Sequence, residues 1–361
     1  MANFGTNAGQ KFAKNVLKLY FTDAVAPEIT NNDYEGEIRG GGADRVNILT
    51  FARLTLKNYT GSAMTPDTPQ ESQAQLVVNQ KKAYYFQIEG FAKFVSYVEN
   101  ESSTLIQMAG AQLKEAVDQY VLGFYGKVAA GNRVGTNYTT GTVAIDASGN
   151  VTGTGTTFTA AMVGLGFKAA GHSKWYRVKT YTSATAIVIE DDKDDETSAY
   201  TGGVISAGAT YVIEAATIVQ VTASNIYGYI AELKNRLDKA KIPQKGRWLV
   251  INADLATVLL QSGALTPAVA TAYENVVTNG LIGRVLGFKV YQCEEVSGDN
   301  TNGYYILAGH TSWLTLAMAM TTAEVEPFIG GHGQNFKGFL YYGAKVADER
   351  RKAGAVLRCY R

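Results

Sequence analysis

His172, His310 and His332 are the only imidazoles in this 361-residue chain, and they lie far apart. None stands in an H-E-x-x-H or other paired-ligand spacing. Each is expected to be a surface or hydrogen-bonded residue. Cys293 and Cys359 are too few for a disulfide framework or a zinc cluster, and read as reduced thiols of an intracellular chain. No G-x-S-x-G elbow is present. Gly280-Leu281-Ile282-Gly283-Arg284 lacks the G-K-[ST] of a phosphate loop and reads as a turn feeding a strand at Phe288. The run Glu190-Asp191-Asp192-Lys193-Asp194-Asp195-Glu196 has carboxylates that suit a hard cation, but not the spacing of an EF-hand loop. Burying so many carboxylates is costly, so Asp191, Asp192, Asp194 and Asp195 are expected at an exposed, solvated tip. Arg350-Arg351-Lys352, preceded by Asp348-Glu349, reads as a turn between two terminal strands rather than a nucleic-acid patch. The residues therefore assign no catalytic, cofactor or metal site, and no enzyme or cofactor is expected.

With so little chemistry, the elements themselves carry the information. Residues 45–90 read as a β-arm with no core of its own. An outgoing strand over 46–59 carries Leu54 and Leu56 on one face. A return strand over 75–89 carries Tyr84, Phe86 and Ile88 on one face, and Tyr85, Gln87 and Glu89 on the other. Two strands alone are marginal in water. The apolar face is thus expected to find its cover on another copy of the chain, with Leu54, Leu56, Tyr84, Phe86 and Ile88 as the contact residues.

Residues 100–129 contain no proline, and Leu105, Ala109, Leu113, Ala116, Tyr120 and Phe124 recur at three- and four-residue spacing. This predicts a spine helix of roughly 28 residues, about 40 Å long, capped by Ser102 or Ser103 and ended by Gly131. Residues 136–218 are Thr- and Gly-rich, with short β-rich segments, and read as an all-β module inserted between two helices. The segment 224–241 predicts a helix with Ile226, Ile230, Leu233 and Leu237 on one face, stopped by Pro243. A buried strand follows at 248–251, and then a short helix capped by Asn252. Further strands are expected at 288–291 and 304–307. The last forty residues read as strands and turns ending at 355–360.

Composition narrows the possible partners. The formal charge is +1, from 33 basic and 32 acidic residues, which argues against a dedicated nucleic-acid or membrane binder. Hydrophobic content is 46%, enough for folded cores. No apolar run approaches the ~20 residues that span a bilayer, and no signal-peptide stretch opens the chain. The first 22 residues hold Lys11, Lys14 and Lys18 and no acid. They read as a basic N-terminal arm.

The order of these parts resembles the major capsid protein of tailed bacteriophages, the Hong Kong 97-like fold. Asn32-Asp33-Tyr34-Glu35-Gly36-Glu37-Ile38 is similar to that family's segment before the extended loop, and Ala116-Val117-Asp118-Gln119-Tyr120-Val121-Leu122-Gly123 to its spine helix. Ile242-Pro243-Gln244-Lys245-Gly246-Arg247-Trp248-Leu249-Val250 is similar to its helix-to-strand turn, and Gly283-Arg284-Val285-Leu286-Gly287-Phe288-Lys289-Val290-Tyr291 to a later strand. The resemblance covers everything except the β-module. It implies an α+β chain with an N-terminal arm (1–45), an extended loop (46–90), a peripheral domain (91–135 with 321–361), an all-β insertion domain (136–218) and an axial domain (219–320).

The resemblance further implies a protein that self-assembles into hexamers and pentamers of an icosahedral head. Packaged double-stranded DNA would be held by non-specific contact, with Lys11, Lys14 and Lys18 either on a lumen-facing arm that neutralises its charge or in an assembly contact with a neighbour, and a portal protein would sit at one vertex. The chain begins almost directly at the arm, so a separate scaffolding protein is expected, the alternative being a processed form, which Met1 disfavours. No membrane partner is. Assembly would take place in the host bacterial cytoplasm. Some relatives crosslink a Lys to an Asn, but Lys57, Lys81 and Lys82 have no identifiable acceptor, so no crosslink is assigned. A second reading stays open. A monomeric phage-tail or cell-surface protein could grip a glycan with Trp175, Tyr176 and Tyr181 of the β-module.

Overall fold

The structure is a computed structural model that describes residues 24–33, 45–51, 58, 71–89, 101–193, 198–263, 281–299, 301–327 and 333–361. In chain order, a single turn α1 (Ala26–Ile29) precedes β1 (Arg45–Phe51), β2 (Glu71–Val77) and β3 (Gln80–Glu89). The spine helix α2 (Glu101–Leu122) follows, then a 3-10 turn (Gly123–Lys127) and β4 (Arg133–Val134). Eight strands come next: β5 (Thr136–Tyr138), β6 (Thr142–Ile145), β7 (Asn150–Thr154), β8 (Gly166–Ala169), β9 (Tyr176–Ser183), β10 (Ala186–Asp191), β11 (Ile205–Ala209) and β12 (Tyr211–Thr217). The chain continues through β13 (Val219–Gln220), α3 (Ile226–Lys239), β14 (Arg247–Ile251), α4 (Ala253–Gln261), β15 (Leu281–Val285) and β16 (Phe288–Gln292). It closes with β17 (Gly298–Asp299), β18 (Gly303–His310), β19 (Thr315–Pro327), β20 (Gly333–Lys345) and β21 (Gly354–Tyr360).

The main core forms around the mixed sheet β13-β21-β18-β14-β16-β15. Strand β14 runs parallel to β16 and antiparallel to β18. All five of its residues are buried, because both faces of the sheet are covered. Helix α3 places Ile226, Ile230, Leu233 and Leu237 in this core, the stripe expected from a 3.6-residue period. The side chain of Asn252 accepts from Leu255 N at 3.1 Å and so caps α4, also as expected.

Three expectations change. Residues 281–285 are strand β15, not a turn. The turn is Leu286-Gly287, with φ of +49° and +90°, the left-handed pair that a tight hairpin needs. The spine helix ends at Leu122 rather than continuing toward Gly131, because the chain tightens there into a 3-10 turn. The boundary drawn at 321 does not follow the sheet. Strand β21 is hydrogen-bonded between β13 and β18, in the sheet of the 219–320 segment.

Residues 136–217 form a sheet of their own, β11-β6-β7-β10-β9-β8-β12-β5. They also have their own buried cluster, which includes Val143, Phe158, Phe167, Tyr176 and Ile213. Among the described residues, no helix is long and apolar enough to cross a membrane.

Candidate functional site

The arm divides where the sequence showed no break. Strand β2 pairs antiparallel with β1, from Arg45 opposite Val77 to Phe51 opposite Glu71. Strand β3 leaves that ribbon and pairs with β20, which also pairs with β19. Phe86 lies directly opposite Phe336, and their rings stack at 5.1 Å. Tyr84 lies opposite Gly338 and stacks beside Phe86 at 6.1 Å. A Cβ on Gly338 would come within 2.6 Å of the Tyr84 ring, so glycine makes the seat for that ring. On the same sheet, Tyr342 meets Tyr120 of α2 edge-on at 5.2 Å. Burial pushes the hydroxyls of Tyr84, Tyr120 and Tyr342 up from their ordinary values.

This corrects the expectation that Tyr84 and Phe86 lack cover in their own chain. Both are half-buried and pack against the main core. The physical reason is the third strand: a hairpin from the far end of the chain supplies the surface that a two-stranded arm lacks. Ile88 sits in β3 opposite Gln334, and its side chain is outside the described residues. Leu54 and Leu56 also lie outside them, as do Lys11, Lys14 and Lys18.

The opposite face of the same sheet is open. Tyr85 on β3 is 66% exposed and Phe339 on β20 is 43% exposed. Their cross-strand neighbours are Lys337 and Ala83. Tyr341 lies opposite Lys81, whose ammonium stands 5.5 Å from the ring centroid. The result is a strip in which two exposed rings and the half-buried Tyr341 alternate with lysines.

The β-module is seated by charge. Asp191 is only 5% exposed, and Lys174 Nζ donates to it at 2.8 Å while Thr201 donates from both its amide and its hydroxyl. Burial opposes its ionisation, but these bonds hold its carboxyl below the usual range. Asp192 accepts from Ala130 N at 2.6 Å and from Arg351 Nη2 at 2.7 Å. The exposed-tip assignment is therefore corrected for Asp191 and Asp192. Each has a cation and an amide or hydroxyl donor, which offset the cost of leaving water. Asp194 and Asp195 lie outside the described residues. The turn at Asp348–Ala353 is as expected, but it carries Arg351 into the interior at 2% exposure rather than leaving it in solvent.

A second contact joins the module to the core. Glu214 of β12 accepts from Gly131 N at 2.7 Å and from Arg133 N at 3.4 Å. Its other oxygen lies 3.6 Å from Arg133 Nε. Arg236 of α3 donates to Gly131 O at 3.2 Å. Neither Glu214 nor Arg351 was singled out from sequence as a contact. The one available signal is a lone acid inside the apolar run Tyr211–Thr217, since a charge on a buried strand needs a partner.

Trp175 walls a cleft of about 580 Å³ beside this junction, with Lys168, Tyr211, Glu214 and Arg236. Tyr176 is 2% exposed within the module's core, and Tyr181 is not part of the cleft wall. The three rings offered as a stacking platform thus do not come together. His172 is buried and bonds to Tyr200 Oη at 2.7 Å, and His310 bonds to Ser312. His332 is outside the described residues. No group of three or more His, Cys, Asp or Glu placed to hold a metal occurs among the described residues.

No family model and no curated protein matches the sequence. Solved structures do match over nearly the whole chain. A structure from Mycobacterium phage Che8 is 18% identical with a TM-score of 0.55, covering 93% of this chain and 91% of its own. The capsid structure of the cyanophage P-SCSP1u is 11% identical with a TM-score of 0.54, covering 94% and 88%. The capsid of Ralstonia phage GP4 is 11% identical with a TM-score of 0.52, covering 94% and 90%. At such low identity the shared property is the path of the backbone, and this chain has the α+β, Hong Kong 97-like fold of bacteriophage major capsid proteins.

Proposed function

We propose that this chain is a major capsid protein that self-assembles into the hexamers and pentamers of an icosahedral phage head enclosing double-stranded DNA. The observation that carries the reading is the likeness in fold, over more than nine-tenths of the chain, to the capsids of cyanophage P-SCSP1u and Ralstonia phage GP4. The exposed rings of Tyr85 and Phe339 support it, because rings at a sheet surface are suited to burial against a neighbouring subunit. In a closed shell many modest contacts add, so no single interface need be strong.

Beyond itself, the chain would work with a separate scaffolding protein, a portal at one vertex and DNA held by non-specific contact. Shells would form in the host cytoplasm and become part of the virion. The test is electron microscopy with a size measurement on the purified chain. Closed particles in the megadalton range are expected. A stable 38.8 kDa monomer under every assembly condition would overturn the proposal.

A further inference from the structure

The crossover that leads from the spine helix into the β-module, residues 127–133, is gripped at every residue. Arg351 donates to Lys127 O and Val128 O, and its own carbonyl accepts from Ala129 N. Asp192 accepts from Ala130 N, and Glu214 accepts from the amides of Gly131 and Arg133. The Asn132 amide donates to Lys352 O and Gly354 O, both at 2.9 Å. The module thus supplies two carboxylates to this seat, and the rest of the chain supplies the cations.

Glu214 is the weak point. It is 2% exposed, and its Oε1 has no hydrogen-bond partner. That oxygen stands against Gly166, where even a Cβ would collide with it. Arg133 Nε, at 3.6 Å, is too far for a hydrogen bond. A buried carboxylate with one unbonded oxygen is the place where a proton relieves most cost. We propose that the crossover is a pH-sensitive seat, in which proton uptake at Glu214 sets how firmly the β-module is held on the rest of the chain.

The charges around Glu214 come from every element packed there. They are Arg133 on the crossover and Arg236 on α3, with Lys168 of β8 on the same cleft wall. Asp192 after β10, Arg351 in the terminal turn and Tyr305 of β18 face Arg133 in turn. Burial pushes the Glu214 carboxyl up to about 7, against the pull of Arg133 and the two amides. A raised carboxyl binds more protons folded than unfolded. Its stabilising contribution is therefore complete below the ordinary glutamate range and is lost as pH rises through about 7. The module is held most firmly below the ordinary glutamate range and loosens as pH rises to about 7, whatever the oligomeric state.

Hydrogen exchange on the purified full-length chain, corrected for intrinsic rates, tests this. Protection over residues 127–135 should fall about tenfold between about pH 6 and about pH 8.5, levelling off just above about 7. Glu214→Gln should flatten the profile, and Asp192→Asn should leave its levelling-off point in place. A flat wild-type profile would overturn the proposal. So would a profile that survives Glu214→Gln, one that Asp192→Asn abolishes, or an equal loss in strand Arg247–Ile251. If Glu214→Gln fails to fold, the wild-type levelling-off point and the Asp192→Asn profile still decide.

Discussion

Two β elements are attached to this core in opposite ways. The sheet β19-β20-β3 is seated by rings: Phe86 on Phe336, and Tyr342 against Tyr120 of the spine helix. The β-module is seated by charges: Asp192 on Arg351, and Glu214 beside Arg133. Ring contacts are nearly indifferent to pH and salt, since their stabilisation comes from area removed from water and ring geometry. Buried ion pairs balance large opposing terms, so a single proton or one lost partner changes them sharply. The first attachment builds a permanent part of the fold. The second holds a body that already has its own core.

The sharpest way to break the comparison is Tyr342→Ala. Tyr342 is 1% exposed, and removing its ring should cost about 3–5 kcal/mol in chemical denaturation of the whole chain. A loss below about 1 kcal/mol would show that the ring seat is not part of the core. Next comes Arg351→Met, which leaves Asp192 and two carbonyls without their cation. A loss of about 3 kcal/mol is expected. In a double-mutant cycle with Asp192→Asn, a coupling of about 1–3 kcal/mol should appear. Zero coupling would mean that Arg351 acts only through the carbonyls of Lys127 and Val128. The smallest effect on the single chain belongs to the outer face. Tyr85→Ser with Phe339→Ser should shift its stability by no more than about 0.5 kcal/mol. The same pair should reduce particle yield in a size measurement. Unchanged yield would remove that face from the proposed assembly contacts.

Much of the framework was legible because periodicity survives in sequence. The stripe Ile226, Ile230, Leu233 and Leu237 announces α3, and the apolar run at 248–251 announces a strand covered on both faces. The alternation of Tyr84, Tyr85 and Phe86 correctly separates a half-buried face from an exposed one. The division of the return strand was not legible. Val77 and Gln80 are separated by Val78 and Asn79, with no glycine or proline between them. Both halves are extended, so local pattern cannot say that one pairs with β1 and the other with β20. The acid run misled for a related reason. Composition reports the cost of burying Asp191 and Asp192, but not the arrival of Lys174 and Arg351, the latter from 159 residues away.

What the sequence determined by itself is most of the elements and their order. These follow from local periods of two and 3.6 residues, and from spacing along the chain. What only the tertiary structure decided is pairing at a distance. It put β3 on a hairpin from the other end of the chain, β21 beside β13 and β18, and two acids of the module against arginines of the core. A carboxylate's state and a strand's cover depend on which neighbours arrive. No local pattern encodes those arrivals, because contacts between distant segments form only when the whole chain closes on itself.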